Sequence, residues 1–584
     1  MVQRRWDGLV VLAVWAVVAA LLLWRAHALM PGAPLLGDID DAMRMVQAMD
    51  LAAGQGWQDL TQHRDNAPFG GAMHWSRLVD APLVLLMGLA TPVFGAAAAP
   101  DIAAMLWPLL LLLVLLALSV ALVRRLVPEA DLATALVLPL LNLVLIVELL
   151  PGRVDHHNLQ IVLSGATLLL LVGWRRTRWG GALAGLVVAT SLAVGLETLP
   201  LAAVAGVSMA VCWLVDPEHH RSGAIGFGLG FAFGLVGQLV VATPPAALLG
   251  AACDMLSVVY VAAGMVGGLA LAASAVLASR RGWPVRLALL GATGVTAVAV
   301  ALWIAPRCLG GPYVDVPEAV FPLMFPGIAE AQSLAQRLEY DLASGIAFAA
   351  ATLLAVPLSL WIAWRKRGDA RIDWLIAAGF LVVLALLMLL QIRGARLAAL
   401  FALPAGAWLI TAARRRYLAR GSVGRMLGMV GAWLGVATMV QFALLSGVVA
   451  ALTPAQPRLG QAVAMSGVDP VSCLLPEAYA ELAALPPTRL VAPIGLSAYV
   501  LRYTSHAVLS AGFHRNTQSV VDLVAVFEGD EARARKVTRE RGLTHVVSCP
   551  GTSQYQGWAT PHGWTWLTEV SSPGARLKVE RIEP

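Results

Sequence analysis

The stretch PGRVDHHNLQ places one carboxylate, Asp155, beside two imidazoles, His156 and His157, at the junction of two long apolar runs. Asp155 and His157 form an Asp-x-His pair that can offer a carboxylate oxygen and a ring nitrogen to one metal ion. A polar, solvated loop would carry the same residues. This pair alone therefore leaves both interpretations open.

Three further acids, Asp38, Asp40 and Asp41, occur within four residues in the stretch GDIDDAMR. Carboxylate oxygens suit a hard divalent cation such as Mg²⁺ or Mn²⁺. The alternative is a helix N-terminus, where aspartate is favoured by free backbone N–H groups and by the helix dipole.

Two glutamates and two arginines complete the set of residues that could do chemistry. Glu197, in GLETLP, lies in a very short turn between apolar runs, and an acid at such a depth is a functional candidate. Glu330, in GIAEAQSL, is by itself typical of a surface acid. Arg393 and Arg396, in QIRGARL, can bind a phosphate, or else extend to lipid headgroups.

The elements that must position these residues are membrane helices. Of the 584 residues, 59% are hydrophobic and 13% are charged, whereas soluble domains average about 25% charged residues. Apolar runs long enough to cross a bilayer recur between residues 8 and 450. The first of them lacks a cleavage site and is interpreted as an uncleaved span.

The run at 82–98 is ambiguous because it is short and contains Pro and Gly. If it lies on the surface or is re-entrant, the basic clusters from Arg4 and Arg5 to RRRYLAR all face the cytoplasm, as the positive-inside rule expects. We therefore predict a polytopic α-helical membrane protein with about thirteen spans over 1–452. The first outer loop, 30–100, and every acid discussed above then face outward.

The tail, 453–584, is predicted to be a small α/β domain outside the membrane. TRLVAPI, AVLSAG and LTHVVSCP are typical of short buried strands, and GDEARARKVTRERG of an exposed helix that ends at Gly542. ALTPAQPRLGQ is the predicted linker. Cys473 and Cys549 can form a disulfide if the tail is extracytoplasmic, whereas Cys212 and Cys253 are expected to have no special role.

Together the outward residues describe an acidic, metal-capable pocket with a phosphate-binding rim, open to the outside and to the bilayer. A donor built on a lipid phosphate fits such a pocket. The basic residues fall in short clusters between apolar runs, so the positive net charge does not indicate nucleic-acid binding.

With these motifs the chain resembles the catalytic subunit of oligosaccharyltransferases, membrane glycosyltransferases with the GT-C fold. The resemblance implies that Asp38 is the family's first-loop aspartate, that VDHHN supplies Asp155 and His157 of an Asp-x-His motif, and that Glu330 is the glutamate of a later outer-loop motif. It further implies that these four residues hold a divalent cation beside a polyprenyl-phosphate-linked sugar donor. The family's Trp-Trp-Asp motif does not occur after residue 453, so the acceptor is left open between a glycan, a lipid and a protein.

Two more polar stretches are candidates for substrate contact, although Trp is also a common interface anchor. In NAPFGGAMHWSRLVD they are His74 and Trp75, for the substrate, and Arg77, for the donor phosphate. In RYTSHAVLSAGFHRNTQ they are His514, Arg515 and Asn516.

We therefore predict a glycosyltransferase of the bacterial inner membrane, with its active site and C-terminal domain facing the periplasm. The candidate catalytic residues are Asp38, Asp40, Asp155, Glu197 and Glu330. A lipid-linked glycan flippase and a non-catalytic assembly subunit are the alternatives, and the scarcity of ionisable residues within the spans speaks against a transporter.

Overall fold

The computed structural model describes residues 2–29, 32–324, 329–452, 470–527, 530–550 and 564–583. The predicted linker, and with it the predicted domain boundary at 453, lies outside these residues. Within them, 11 helices are long and apolar enough to cross a membrane, or up to 12 if one bent pair counts as a single span. The predicted fold class, a polytopic helical membrane protein with a small C-terminal sheet domain, is confirmed.

The membrane unit is a succession of helices. They are α1 (Val2–Trp24), α2 (Ile39–Ala52), α3 (Arg77–Phe94), α4 (Ala99–Leu126), α5 (Leu132–Leu140), α6 (Leu143–Val147), α7 (His157–Trp174), α8 (Arg178–Val194), α9 (Leu199–Val215), α10 (Pro217–Ala242), α11 (Val258–Leu277), α12 (Trp283–Ile304), α13 (Phe321–Met324), α14 (Leu334–Tyr340), α15 (Leu342–Arg365), α16 (Gly368–Leu390), α17 (Gly394–Ala419), α18 (Val423–Val436) and α19 (Thr438–Leu452). In the first loop, β1 (Thr61–Gln62) and β2 (Gly71–Ala72) form an antiparallel pair.

Arginines gather at one end of the membrane unit, which we call the basic end. Arg124 pairs with Asp7 there, and Arg125 Nη2 lies 2.8 Å from Asp373 Oδ2. The opposite end carries Asp155, Glu197 and the other candidate residues, and we call it the site end. The predicted separation of basic clusters from candidate acids is therefore present in the structure.

Helix α3 covers most of the ambiguous run at 82–98, and both of its ends lie at the site end. Its first residue, Arg77, donates from Nη2 to the carbonyl of Asp59 in the first loop, at 2.5 Å. Just inside α4, Asp101 Oδ1 accepts from Arg502 Nη2 of the C-terminal unit, at 2.7 Å. Although α3 is long enough to span by length and composition, this arrangement agrees with the predicted surface or re-entrant segment.

Two predicted spans are broken helices, and the two breaks are joined by hydrogen bonds. Helices α5 and α6 separate at Leu141 and Asn142, and α18 and α19 meet at an angle of 89°. At the breaks, Leu143 N donates to Thr438 Oγ1 and Met439 N donates to Leu141 O, both at 2.9 Å. Broken helices are tolerated in a bilayer when the freed backbone groups are paired in this way.

Glycines allow α8 and α10 to pack at backbone contact. A Cβ added at Gly185 would lie 2.3 Å from Phe227 O, and one added at Gly181 would lie 2.2 Å from Gly223 O. Membrane helices lack a hydrophobic driving force for association, so small residues spaced by four gain stability through close van der Waals packing.

The C-terminal unit is built around a five-stranded sheet in the order β4–β3–β5–β7–β6. Strands β3, β4 and β5 pair in parallel, and β7 pairs antiparallel with β5 and β6. Its elements are β3 (Arg489–Val491), β4 (Ala507–Val508), β5 (His545–Ser548), β6 (Leu567–Glu569), β7 (Lys578–Ile582), α20 (Ala480–Ala483), α21 (Ile494–Tyr503), α22 (Thr517–Phe527) and α23 (Glu531–Arg541). Gly542, with φ of 63°, ends α23 as predicted.

Two disulfides lie at the site end. Cys473 is bonded to Cys549, the pair that the sequence left open, and Cys253 is bonded to Cys308. The expectation that Cys253 has no special role was wrong, because it lies in the loop between α10 and α11 rather than inside a span. Cys212 is buried and free.

Candidate active site

Five segments that are far apart in the sequence meet at the site end. They are the N-terminus of α2, the loop before α7, the turn between α8 and α9, the segment before α14 and the start of α17. They bring together one cluster of charged side chains, which we call the acid cluster. Its central members are Asp40, Asp155, His157, Glu197, Glu330, Arg393 and Arg396.

The loop before α7 holds Asp155 between two imidazoles. His156 Nδ1 lies 2.6 Å from Asp155 Oδ1, and its Nε2 lies 3.1 Å from Glu197 Oε2. His157 Nε2 lies 3.3 Å from Asp155 Oδ2 and 3.5 Å from Glu330 Oε2. Burial disfavours the charged form of His156, but Asp155 and Glu197 outweigh it and raise its pKa to about 10, so this ring is a cation at neutral pH.

Asp41 holds the backbone of that loop in place. Its Oδ1 accepts from the N–H groups of Val154, at 2.8 Å, and of Asp155, at 3.0 Å. Its Oδ2 accepts from Arg153 Nη1 at 2.6 Å. Burial raises the pKa of Asp41 to about 7 even though Arg153 opposes the shift. Asp41 is therefore a positioning group for Asp155.

Glu330 is placed between two arginines of the QIRGARL turn. Its Oε2 lies 2.5 Å from Arg396 Nη1, and its Oε1 lies 3.7 Å from Arg393 Nη2. The backbone N–H of Arg393 also donates to Glu330 O, at 3.2 Å. Burial opposes ionisation of Glu330, but Arg396 and His157 hold its pKa well below the usual range.

Glu197 occupies a single 3₁₀ turn between α8 and α9. Gln160 Nε2 donates to its Oε2 at 2.7 Å, and Arg393 Nη1 lies 3.6 Å from its Oε1. The turn can approach α7 because residue 195 is glycine: an added Cβ would lie 2.5 Å from Gln160 Nε2. Glu197 is thus held at the edge of the acid cluster with a fixed orientation.

The two first-loop aspartates have different surroundings. Asp38 is the N-cap of α2, where its Oδ1 accepts from Asp40 N at 2.9 Å and its Oδ2 lies 3.1 Å from Arg153 Nη1. Burial, together with Asp155 and Asp38, raises the pKa of Asp40 well above its usual value. The neighbouring charges therefore favour Asp40 over Asp38 as the first-loop member of the acid cluster.

Several residues around the cluster were not singled out from the sequence as site residues. Glu148 Oε1 lies 2.8 Å from Arg396 Nε, and Arg44, which is fully buried, pairs with Asp80 at 3.0 Å. Arg153 and Glu148 lie close to the Asp-x-His motif in the sequence, and this closeness could have identified them as site residues. Nothing in the local sequence indicated that Arg44 would be buried.

The acid cluster fits a divalent cation. Asp155 and His157 offer ligand atoms within 4.8 Å of each other, and Glu330 Oε2 lies 3.5 Å from His157 Nε2. Within the described residues, no side chain donates a hydrogen bond to the Asp40 carboxylate, although Asp155 and Glu330 repel its charge. Carboxylate and imidazole ligands suit Mg²⁺, Mn²⁺ or Zn²⁺.

A cavity of about 430 Å³ opens beside the acid cluster. Glu197, His156 and Arg393 line its polar part. Much of its remaining wall consists of apolar side chains of the spans, including Leu192, Leu199, Val259, Val298, Leu302 and Leu387. The cavity can therefore accommodate a ligand with a charged headgroup and an apolar chain.

A second polar cluster lines the same cavity, which we call the His74–Asp254–His514 cluster. His514 Nε2 lies 2.7 Å from Asp254 Oδ2, and Arg515 donates to both oxygens of Asp254, at 2.7 and 2.6 Å. The rings of His74 and His514 lie 4.5 Å apart. Trp75 lies between the two clusters, with Arg44 4.4 Å from its ring centroid.

Two side chains that were predicted to contact the donor phosphate or the substrate form hydrogen bonds with other parts of the protein. Arg77, predicted to bind phosphate, is almost fully buried and donates to Asp80, Gln47 O and Asp59 O. Asn516, predicted to bind substrate, joins the tail to the first loop through Ala72 N and Asp65. The hydrogen bonds of both side chains are used within the protein, and their predicted contacts with phosphate and substrate stay predictions.

No protein-family model matches the chain, and a search of curated protein sequences found no match. Solved structures do match. The oligosaccharyltransferase AglB from Archaeoglobus fulgidus, in complex with an inhibitory peptide and a dolichol-phosphate, superposes with a TM-score of 0.61 at 13% identity, over 94% of this chain and 70% of that chain. The chain has the fold of an oligosaccharyltransferase.

Two crystal structures of the Archaeoglobus fulgidus oligosaccharyltransferase give the same result. The apo form matches with a TM-score of 0.57 at 14% identity, over 92% of this chain and 69% of that chain. The complex with Zn and sulfate matches with a TM-score of 0.53 at 13% identity, over 92% and 68%. The predicted resemblance and the predicted GT-C-like fold are confirmed.

Proposed function

We propose that this protein is a membrane glycosyltransferase that transfers a sugar from a polyprenyl-phosphate-linked donor to an acceptor at the site end. The observation that carries the proposal is the convergence of Asp40, Asp155, His157 and Glu330 beside two arginines at the mouth of a largely apolar cavity. An amphipathic donor has the same division into a charged headgroup and a long apolar chain.

In this proposal Arg393 and Arg396 bind the donor phosphate. Guanidinium groups match phosphate oxygens in shape and charge, and both arginines pair with Glu330, a carboxylate that a cation would also engage. A divalent ion held by Asp40, Asp155, His157 and Glu330 would supply charge neutralisation for the departing phosphate. The arginines share that task because they remain charged throughout.

The acceptor nucleophile needs a group that orients it or accepts its proton. His156 is unsuited to that role because its two ring nitrogens are already engaged, Nδ1 by Asp155 and Nε2 by Glu197. Glu197 is better placed: it lines the cavity, and its orientation is fixed by Gln160 and Arg393. We therefore propose that Glu197 orients the acceptor. His156 then holds the side chains of Asp155 and Glu197 in place.

We further propose that the site end faces the periplasm of a bacterial inner membrane. The basic end matches the cytoplasmic side under the positive-inside rule. Both disulfides lie at the site end, and disulfides persist in oxidising compartments such as the periplasm. Charge and cysteine chemistry therefore support the same orientation.

The test is a pair of matched variants, Glu330→Gln in the acid cluster and Glu339→Gln, an exposed glutamate of the neighbouring helix α14. Membranes with each variant would receive a panel of radiolabelled sugars on undecaprenyl phosphate and undecaprenyl pyrophosphate, and loss of label from the lipid would be followed. Removal of one preorganised charge costs about 100-fold or more, so E330Q should lose turnover and E339Q should keep it.

Equal turnover by E330Q and the unaltered chain would contradict the assignment of Glu330. Absence of any donor consumption by the unaltered chain, with intact lipid-linked sugar crossing the membrane, would favour the flippase.

A further inference from the structure

The acid cluster and the phosphate-binding arginines account for only one side of the cavity. The His74–Asp254–His514 cluster lines the other side and has no role in the proposed handling of phosphate. It is assembled from three distant segments: the first loop, the loop between α10 and α11, and the C-terminal unit. Polar side chains from three distant segments that meet at a cavity wall indicate a binding role in addition to packing.

The charges of this cluster cancel internally. Arg515 engages both oxygens of Asp254, and His514 Nε2 meets the same carboxylate. Burial opposes ionisation of Asp254, but Arg515 and His514 hold its pKa well below its usual range, so the carboxylate is ionised and neutralised in place. A further phosphate would be repelled by Asp254, and a metal ion would compete with Arg515 for it.

The same cluster retains unused hydrogen-bonding capacity. His74 Nδ1 is buried without a hydrogen-bond partner among the described residues. Burial lowers the pKa of His74 to about 3, so its ring is neutral and keeps one nitrogen as an acceptor. The His74 ring lines the cavity, so a hydroxyl group on a ligand can form a hydrogen bond with it.

Aromatic rings surround these polar groups. Tyr313 meets His514 edge-on at 5.1 Å, and Phe513 meets Trp75 at 5.1 Å. Tyr313 also links the cluster to the phosphate side, since it interacts with Arg393. A ligand bonded to the acid cluster through its phosphate would therefore extend its next group toward His514.

We propose that the His74–Asp254–His514 cluster is a binding subsite for the uncharged sugar unit of the donor. This inference rests on the proposed function. Hydroxyl groups of the sugar would bond to His74, His514 and Asp254, while Tyr313 and Trp75 cover its apolar edges. The disulfide between Cys253 and Cys308 fixes the residue next to Asp254 and so helps to hold this wall.

Binding measurements on the full-length protein in nanodiscs test the proposal. The probes are undecaprenyl phosphate and the same lipid carrying glucose, galactose or mannose. The unaltered chain should bind one sugar-bearing lipid at least about 10-fold more tightly than the bare lipid, because a site built for hydroxyl groups gains from each one it pairs. His514→Ala and His74→Ala should remove this preference and leave the affinity for bare lipid unchanged.

Arg393→Ala should weaken the binding of bare and sugar-bearing lipids alike. His219→Ala, on an exposed histidine at the basic end, is the folding control. If His514→Ala fails to fold, His74→Ala alone carries the test, since His74 Nδ1 has no hydrogen bond to lose among the described residues.

Equal affinity of the unaltered chain for bare and sugar-bearing lipids would overturn the subsite while leaving the proposed function intact. Stoichiometric zinc in the purified protein, lost in His514→Ala, would overturn it in favour of a metal site. Absence of binding of every lipid would instead count against the proposed function itself.

Discussion

Asp38 and Asp40 lie two positions apart, yet they have different roles in the structure. Asp38 accepts from the backbone at the start of α2 and pairs with Arg153, whereas the charges of Asp155 and Glu330 act on Asp40 and raise its pKa. The sequence motif could not separate them, because the choice depends on where the helix begins. By contrast, Asp155, His157 and Glu330 could be selected from their motifs, and the structure brings all three together.

Asp40→Asn and Asp38→Asn test this distinction. Asp40→Asn removes a charge from the centre of the acid cluster, so turnover should fall by about 100-fold. Asp38→Asn keeps a residue type that caps helices and loses one partly exposed ion pair worth about 1 kcal/mol or less. It should therefore reduce turnover by less than about 10-fold. Kinetics on purified protein would check this, and the reverse order of effects would return the role to Asp38.

The elements that carry the site are held by backbone contact as much as by side chains. Apolar length and charge parity predicted the spans and the unusual α3, since these follow from membrane physics alone. The breaks between α5 and α6 and between α18 and α19 were not predictable, because each is stabilised by the other across almost 300 residues. The burial of Arg77 and Asn516 was missed for the same reason: their partners are distant in the sequence.

Close packing of α8 against α10 supports the turn that carries Glu197, and Gly185 tests it. A side chain at Gly185 must displace Phe227 O, which would lie 2.3 Å from the new Cβ. Gly185→Ala should cost about 1–3 kcal/mol of stability, as overpacking does. Gly237→Ala is the matched control, since no atom lies within 4 Å of that position in α10. Thermal unfolding in detergent would report both, and an equal midpoint for the two variants would contradict the packing role.

At the scale of the whole molecule, the charged groups are divided between two ends of a membrane unit. One end holds arginines paired with aspartates, and the other holds the acid cluster, both disulfides and the C-terminal unit. His514 of the C-terminal unit lines the cavity beside residues of the membrane unit. The sequence could predict this division because the positive-inside rule depends on the composition of single loops. It could not predict the cavity wall, because that wall forms only where three distant segments meet.

Thiol labelling tests the orientation. Trp179→Cys places a thiol on a residue that is 82% exposed at the basic end, and Ser572→Cys places one on the exposed surface of the C-terminal unit. In spheroplasts, a membrane-impermeant maleimide should label the cysteine at 572 and should reach the one at 179 only after permeabilisation. Labelling with the opposite preference would reverse the proposed orientation.

The most direct test of the acid cluster is a Mn²⁺ titration of the purified full-length protein, followed by electron paramagnetic resonance of the free ion. We predict one bound Mn²⁺ per chain, lost or weakened by about 10-fold or more in Asp155→Asn and Glu330→Gln and retained in Glu339→Gln. Absence of a bound ion, or a bound ion whose affinity is the same in all three variants, would contradict the convergence of these residues on one cation.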